Sequence, residues 1–150
     1  MKLVRYGNPG EEKPGILDGS KTIRDLSGLV DDIASETLLP EKLELLRNTA
    51  PASLPVVQGS PRFGPCVGRI GKFICIGLNY SDHAKETGAK VPPEPIIFTK
   101  YTSAVVGPDD DVVIPRNSVK TDWEVELGVV IGKPAKYVEE TCALEHVAGY

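Results

Sequence analysis

Two glutamates one residue apart, Glu124 and Glu126, stand in the run DWEVELGVVIG at residues 122–132, which is otherwise strongly apolar and β-forming. In a β-strand, residues i and i+2 point to the same face about 6–7 Å apart, so the two carboxylates would project together. On a buried face they would repel each other and lose hydration unless a cation or basic partners compensated them. A hard divalent ion such as Mg²⁺ would meet that need with oxygen ligands. The alternative is the solvated face of an amphipathic strand.

A second polar group lies in IGLNYSDHAKETG, residues 76–88, where an apolar run gives way to polar residues. A helical turn or two that ends at Gly88 would place His83 and Glu86 on one face, at positions i and i+3. A carboxylate beside an imidazole can fix its tautomer, raise its basicity or hold a water, which is a general-base arrangement. A helix this short has marginal stability without tertiary contacts. One hypothesis is therefore that the segment is a lid that becomes ordered over a bound substrate. A surface helix with an incidental histidine and glutamate is the other.

The remaining reactive side chains carry weaker signals. FTKYTSA, residues 98–104, leaves a strand with Lys100 and Ser103 at its end, a set that could bind carboxylate or carbonyl oxygens but is equally normal for a loop. His146 lies among apolar residues near the end of a predicted helix, so we expect a structural histidine and assign it no role. The three cysteines are odd in number and never form CxxC, which predicts buried free thiols and neither a disulfide framework nor a zinc site.

The elements that must position these residues divide into two regions. In residues 1–69, KLVRY and PGILDGSKTIRDL predict a strand and a hairpin with a tight turn at Asp18-Gly19. LVDDIASETLL and PEKLELLRN predict two helices, the second opened by Pro40, and the proline-rich residues 50–69 predict an irregular surface connector. In residues 70–150, KFICIG, EPIIFTK, DVVIP and VELGVVIG predict a mainly β body, followed by a helix in YVEETCALEH and a strand opening at VAGY.

The composition narrows the class of protein. A chain of 150 residues with 41% hydrophobic residues is long enough to bury a core and predicts a single compact domain. The predicted mixture of helices and strands indicates an α+β fold. The net charge of −4 comes without any run of Lys or Arg, which argues against nucleic acid or an anionic membrane surface as a partner. No window approaches the roughly 20 apolar residues of a membrane span, so the expected location is the cytoplasm.

Several linked motifs resemble the fumarylacetoacetate hydrolase superfamily, in the same order and at similar spacing over residues 71–150. They are Gly77-x-Asn79-Tyr80-x-Asp82-His83-x-x-Glu86, Pro95-x-x-Phe98-x-Lys100, Trp123-Glu124-x-Glu126-Leu127-Gly128-Val129-Val130-Ile131-Gly132 and Ala148-Gly149-Tyr150. The lead-in MKLVRYG and the proline-rich connector further resemble the bacterial branch of ureidoglycolate lyase and of 2,4-diketo-3-deoxy-L-fuconate or L-rhamnonate hydrolase.

The predicted elements of residues 1–69 indicate a small N-terminal α/β subdomain, and the resemblance implies that residues 70–150 form the first part of a mixed β-roll domain. It implies a homodimer with Mg²⁺ or Mn²⁺ held by Glu124, Glu126 and a later aspartate, the metal acting as Lewis acid and template. His83 and Glu86 would activate water. The substrates of the family are 2-keto or 2,4-diketo acids, and Tyr80, Lys100 and Ser103 are the predicted substrate-binding residues here.

The resemblance also implies that about half of a typical member follows Tyr150, including the third metal ligand. We therefore expect the N-terminal half of a hydrolase of sugar acid catabolism, which cleaves a C–C bond of a 2,4-diketo acid to pyruvate plus a second acid. Ureidoglycolate lyase, 2-oxo acid hydratase and decarboxylase activities are alternatives within the family. An inactive fragment or a non-catalytic β-rich module is the alternative of another class.

Overall fold

The structure is a computed structural model that describes all 150 residues, and the chain divides into two compact units. Unit 1 comprises residues 1–69 and 107–150, and unit 2 comprises residues 70–106. The predicted domains, 1–69 and 70–150, stay a prediction. The strands are Leu3–Tyr6 (β1), Lys13–Leu17 (β2), Ile23–Asp25 (β3), Ile74–Gly77 (β4), Ile96–Thr99 (β5), Val130–Ile131 (β6) and Val147–Gly149 (β7). The α-helices are Pro40–Asn48 (α1) and Ser81–Glu86 (α2), and 3-10 helices cover Pro51–Ser53, Thr102–Ala104 and Glu140–His146.

Unit 1 begins with a three-stranded antiparallel sheet in the order β1-β2-β3, which confirms the predicted strand and hairpin. The predicted turn conformation is wrong, because the positive φ angle falls at Lys21 (62°) and not at Gly19. The Asp18 carboxylate instead accepts backbone N–H groups of Ser20 and Thr22 at 2.9 and 3.0 Å. Such side-chain bonding to the backbone replaces the two-residue turn with a wider loop.

The segment after the sheet, residues 29–39, supplies half of the buried core cluster without forming the predicted first helix. Residues 29–39 form turns and bends. The Asp32 carboxylate accepts the Ile33 backbone N–H at 2.8 Å, and the Thr37 hydroxyl donates to the Asp32 carbonyl at 2.6 Å. These local bonds compete with helical ones. The apolar residues nevertheless point inward, and the buried core cluster is Ile16, Leu26, Val30, Ile33, Leu38 and Leu46.

Helix α1 confirms the second predicted helix. Pro40 occupies its first turn, where the missing N–H has no intrahelical partner to lose. Leu43 and Leu46 are buried against the core, whereas Leu45 remains 44% exposed. The helix therefore buries only one narrow apolar stripe.

The proline-rich connector runs along both edges of the three-stranded sheet. Beside β3, the Val57 N–H donates to the Ile23 carbonyl at 3.0 Å, and Arg24 and Val56 form a bridge. Beside β1, the Gly64 N–H donates to the Arg5 carbonyl at 2.8 Å. The connector thus satisfies backbone groups that an open edge would leave exposed.

The carboxyl-terminal part of unit 1 holds less regular structure than predicted. Strands β6 and β7 pair antiparallel, with Val130 and Ala148 packed against the core, which confirms the strand at VAGY. The strand predicted within residues 122–132 is reduced to β6, and the predicted helix is a 3-10 helix. Residues 111–115, also predicted as a strand, and residues 122–129 have no strand structure. A strand needs a hydrogen-bonded neighbour, and no strand of unit 1 lies beside these residues. Trp123 and Val125 are accordingly 80% and 76% exposed.

Unit 2 is a β-hairpin with a helix in its connection. Strands β4 and β5 confirm the two predicted strands and pair antiparallel from Ile74↔Thr99 to Gly77↔Ile96. Helix α2 lies in the connection between them.

The structure also bears on the predicted state of the cysteines and on the predicted absence of a membrane span. All three cysteines are free, as predicted, but Cys66 and Cys142 are exposed, so the expected burial of these thiols is wrong. The segments that carry Cys66 and Cys142 are irregular or 3-10 in structure and lie outside the core. Neither α-helix has the length and apolarity needed to cross a membrane.

Candidate active site

Helix α2 leaves strand β4 through a strained turn. Leu78 has a φ angle of 48°, a left-handed conformation that is unfavourable for a bulky side chain and is often found at functional sites. The turn redirects the chain so that the helix begins three residues later, at Ser81. No sequence signal predicts it, because a leucine is among the residues least expected there.

The carboxyl end of α2 is closed by a two-bond cap. The Ala89 N–H donates to the Ala84 carbonyl at 2.8 Å, and the Gly88 N–H donates to the Lys85 carbonyl at 3.2 Å. Gly88 has a φ angle of 69°, which glycine adopts without a steric cost. This pattern is a Schellman motif, and it ends the helix where the sequence predicts.

His83 and Glu86 lie on one exposed face of α2, at the predicted i and i+3 positions. Ala84 is the helix's buried residue, at 1% exposure, and anchors the opposite side. The two side chains form no hydrogen bond with each other, so a general-base pair would have to form around a bound water or substrate. Their catalytic roles stay a prediction.

The three predicted substrate-binding residues leave the β4–β5 ladder at different ends. Tyr80 follows β4 just beyond the Gly77↔Ile96 pair, at the end where the chain turns into α2. Lys100 follows β5 at the opposite end, where its N–H donates to the Phe73 carbonyl at 3.1 Å, and Ser103 lies in the next 3-10 helix. Their assembly into one substrate site stays a prediction.

Glu124 and Glu126 lie in unit 1, in a segment without regular secondary structure, and both are exposed. Their i and i+2 spacing keeps the Cα atoms within about 7 Å of each other. Within the chain, no group of three or more His, Cys, Asp or Glu residues is placed to hold a metal ion. Two carboxylates nevertheless suit Mg²⁺ or Mn²⁺, because such ions are bound through one or two carboxylates while water or substrate oxygens take the other positions.

A family model described as "Fumarylacetoacetate (FAA) hydrolase C-terminal" matches residues 72–150, more than half of the chain. The chain belongs to the fumarylacetoacetate hydrolase family. Enzymes of this family are generally dependent on a divalent metal. All seven residues that the sequence analysis singled out lie within the matched region, and they are Tyr80, His83, Glu86, Lys100, Ser103, Glu124 and Glu126.

Curated relatives extend the similarity to the whole chain. A protein of Burkholderia multivorans named "Putative hydrolase" is 61% identical over all 150 residues, and one of Burkholderia ambifaria with the same name is 60% identical. The chain covers 53% of each of these relatives. It therefore spans about half the length of the curated family members that it matches.

Solved structures of the family share the fold. The crystal structure of a "putative HpcE protein" from Mycobacterium smegmatis superposes with a TM-score of 0.79 at 30% identity. The fumarylacetoacetate hydrolase of Exiguobacterium antarcticum gives a TM-score of 0.71 at 27% identity. Each comparison covers 98% of this chain and 52% of the other chain. The predicted fold class, α+β with a family-like β-rich part, is confirmed.

Proposed function

We propose that this chain contributes the water-activating helix and two metal-binding carboxylates of a family hydrolase that cleaves a C–C bond of a 2,4-diketo acid. The observation that carries the proposal is helix α2, which presents His83 and Glu86 on one exposed face inside the region matched to the family. An exposed imidazole beside a carboxylate can take a proton from water at neutral pH. The products would be pyruvate and a second acid.

The side chains of unit 2 have separate tasks in this reaction. The imidazole of His83 takes a proton from water, with Glu86 orienting it, and the hydroxide oxygen bonds to the 4-keto carbon. The bond between C3 and C4 then breaks, its electron pair stays on C3, and C3 receives the proton held by His83. Lys100, Ser103 and Tyr80 would donate hydrogen bonds to the carboxylate and keto oxygens of the substrate.

Glu124 and Glu126 are the residues of this chain that would hold Mg²⁺ or Mn²⁺. When bound, the ion supplies Lewis-acid polarisation of the 2-keto acid oxygens. The two carboxylates neutralise its charge and leave most coordination positions for water and substrate.

Replacement of the proposed base tests the reaction. In a protein that carries this sequence and turns over an acylpyruvate, His83→Ala should reduce that turnover by at least about 100-fold, the lower range for general-base catalysis. Its melting temperature should stay unchanged, because the side chain is exposed. Lys85→Ala, on the same helix, is the matched control and should retain activity. Turnover of His83→Ala at the level of this control would remove His83 from the mechanism.

Product analysis separates the proposed reaction from its family alternatives. Pyruvate plus a second acid indicates C–C hydrolysis. A sugar-acid-derived second product would favour the branch that hydrolyses 2,4-diketo-3-deoxy-L-fuconate or L-rhamnonate. Glyoxylate plus urea would indicate a ureidoglycolate lyase. A single hydrated product would indicate a hydratase, and release of carbon dioxide would indicate a decarboxylase. We also predict that the protein is a homodimer and that it is located in the cytoplasm. Sedimentation of the purified protein would measure its oligomeric state.

A further inference from the structure

A partly enclosed cavity of about 320 Å³ lies in unit 1 between helix α1 and the β6–β7 ladder. Its apolar wall includes Leu38 and Leu43, which are buried, together with Val147 and Ala148. The volume falls at the lower end of the range for pockets that hold small molecules. None of the residues assigned to the proposed hydrolase site lines this cavity.

Three nitrogen-bearing side chains share the cavity lining, and they are Arg47, Lys133 and His146. His146 Nδ1 is excluded from solvent and has no hydrogen-bond partner. A buried polar group without a hydrogen bond destabilises the folded state, so such groups are usually paired with another molecule or residue.

The cations at the cavity also lack strong partners. Lys133 is half-buried and forms no ion pair, and Arg47 has only the exposed Glu44 at 3.4 Å. Glu145 lines the same cavity, yet it pairs with neither cation nor with the imidazole. The cavity therefore combines an apolar wall with two cations that lack strong partners and with the ring of His146.

We propose that this cavity binds a small organic acid with a short apolar chain. The carboxylate would accept hydrogen bonds from Lys133 and from a ring N–H of His146, while the chain would pack on Leu38 and Leu43. A carboxylate satisfies the imidazole and the ammonium at once, and a short aliphatic chain matches the wall. The site is independent of the metal-binding glutamates and of helix α2.

The chain has only two histidines, which makes ring NMR a direct test. Hexanoate is titrated into the 150-residue chain, and the two ring signals are assigned with His83→Gln and His146→Gln. We expect a saturable shift of the His146 signals and none of the His83 signals. Hexanol, which has the same chain length without the charge, should bind far more weakly.

Charge-removing variants decide whether the cations create the site. Lys133→Gln should weaken hexanoate binding by about tenfold, the loss expected for one hydrogen bond to a charged group. Arg47→Gln is a second variant at an exposed position that should fold normally, and it should weaken binding in the same direction. Lys42→Gln, on α1 but outside the cavity lining, is the control and should bind as the parent chain does.

Three results would overturn the proposal. They are no saturable His146 shift at millimolar hexanoate, equal binding of hexanol, and unchanged affinity in both folded variants, Lys133→Gln and Arg47→Gln. No residue of the proposed hydrolase site lines the cavity, so the activity of His83→Ala has no bearing on hexanoate binding. The two proposals can therefore fail independently.

Discussion

At the residue scale, unit 1 is tied together by a chain of five alternating charges. Arg5 donates to Asp32 at 2.7 Å and lies 3.5 Å from Glu12, and Arg62 donates to Glu12 at 3.0 Å and to Asp110 at 2.5 Å. Pairs in a connected and partly buried network contribute more than isolated surface pairs. These contacts join the sheet, the loop after it, the connector and the turn at residues 107–110.

The Asp110 end of the network predicts a sensitivity to acid. The guanidinium of Arg62 donates to both carboxylate oxygens and the Gly107 N–H donates at 2.7 Å, so the pKa of Asp110 lies below its usual value of 3.8. A lowered folded-state pKa contributes stability that is complete above the unfolded value and is lost as the pH falls through the folded value. We expect Asp110→Asn to lower the urea midpoint at pH 7 and to flatten its decline below about pH 4.

The neighbouring Asp109 offers a matched control for this measurement. It is exposed and forms no ion pair in the structure, so Asp109→Asn should leave both the midpoint and its pH dependence unchanged. Equal urea midpoints for the two variants at pH 7 would show that the Arg62 contacts contribute nothing measurable.

At the element scale, the stability of α2 depends on its carboxyl-terminal cap. Gly88→Ala places a Cβ at a φ angle of 69°, where it costs about 1–2 kcal/mol. We expect faster hydrogen exchange of the amides of residues 88 and 89, because the cap bonds that they donate open more often. Gly71→Ala, at an exposed glycine with no neighbour near its added methyl group, should exchange as the parent does. Unchanged exchange in Gly88→Ala would contradict a role for the cap.

Local signals predicted the elements that depend on local interactions. Neighbouring residues indicate the Pro40 start of α1, the Gly88 end of α2 and the strands β1 and β2, and the structure has each of them. His83 and Glu86 share a face for the same reason, since both belong to α2 and lie three residues apart.

Elements that depend on distant partners could not be predicted in this way. Residues 29–39 have helical periodicity, but Asp32 engages Arg5 from 27 positions away and holds the loop open. The segment with Glu124 and Glu126 has a strand pattern, but its pairing depends on a neighbour that unit 1 does not provide. Leu78 has a conformation that its own side chain disfavours, so only its surroundings can impose it.

At the scale of the whole molecule, a long stretch of strand-forming residues remains uncovered. Its large apolar side chains are at least 47% exposed, and they are Val112, Val113, Ile114, Val119, Trp123, Val125, Leu127 and Val129. Monomeric proteins rarely expose so many contiguous apolar residues. The two candidate metal ligands lie within this stretch, so their geometry depends on whatever covers it.

Metal binding by the chain can be measured without any activity assay. We expect calorimetric titration with Mg²⁺ to give a saturable heat that is lost in Glu126→Gln, because the variant removes one of two carboxylate ligands. Bound metal should also raise the melting temperature, and EDTA should reverse that rise. Glu139→Gln, an exposed glutamate of the same unit, is the control and should bind as the parent does. An identical heat in Glu126→Gln would exclude Glu126 as a ligand.

The path of the connector along both sheet edges has a practical consequence. Its tip at residues 58–60 is exposed, with Gly59 at a φ angle of 76°, while Val57 and Gly64 on either side are held by backbone hydrogen bonds. A protease would find its cleavage site at such a tip, yet each new end would still be clamped to its own edge strand. A nicked molecule should therefore stay in one piece, and a fluorophore or affinity label placed there would report on the protein without disturbing it.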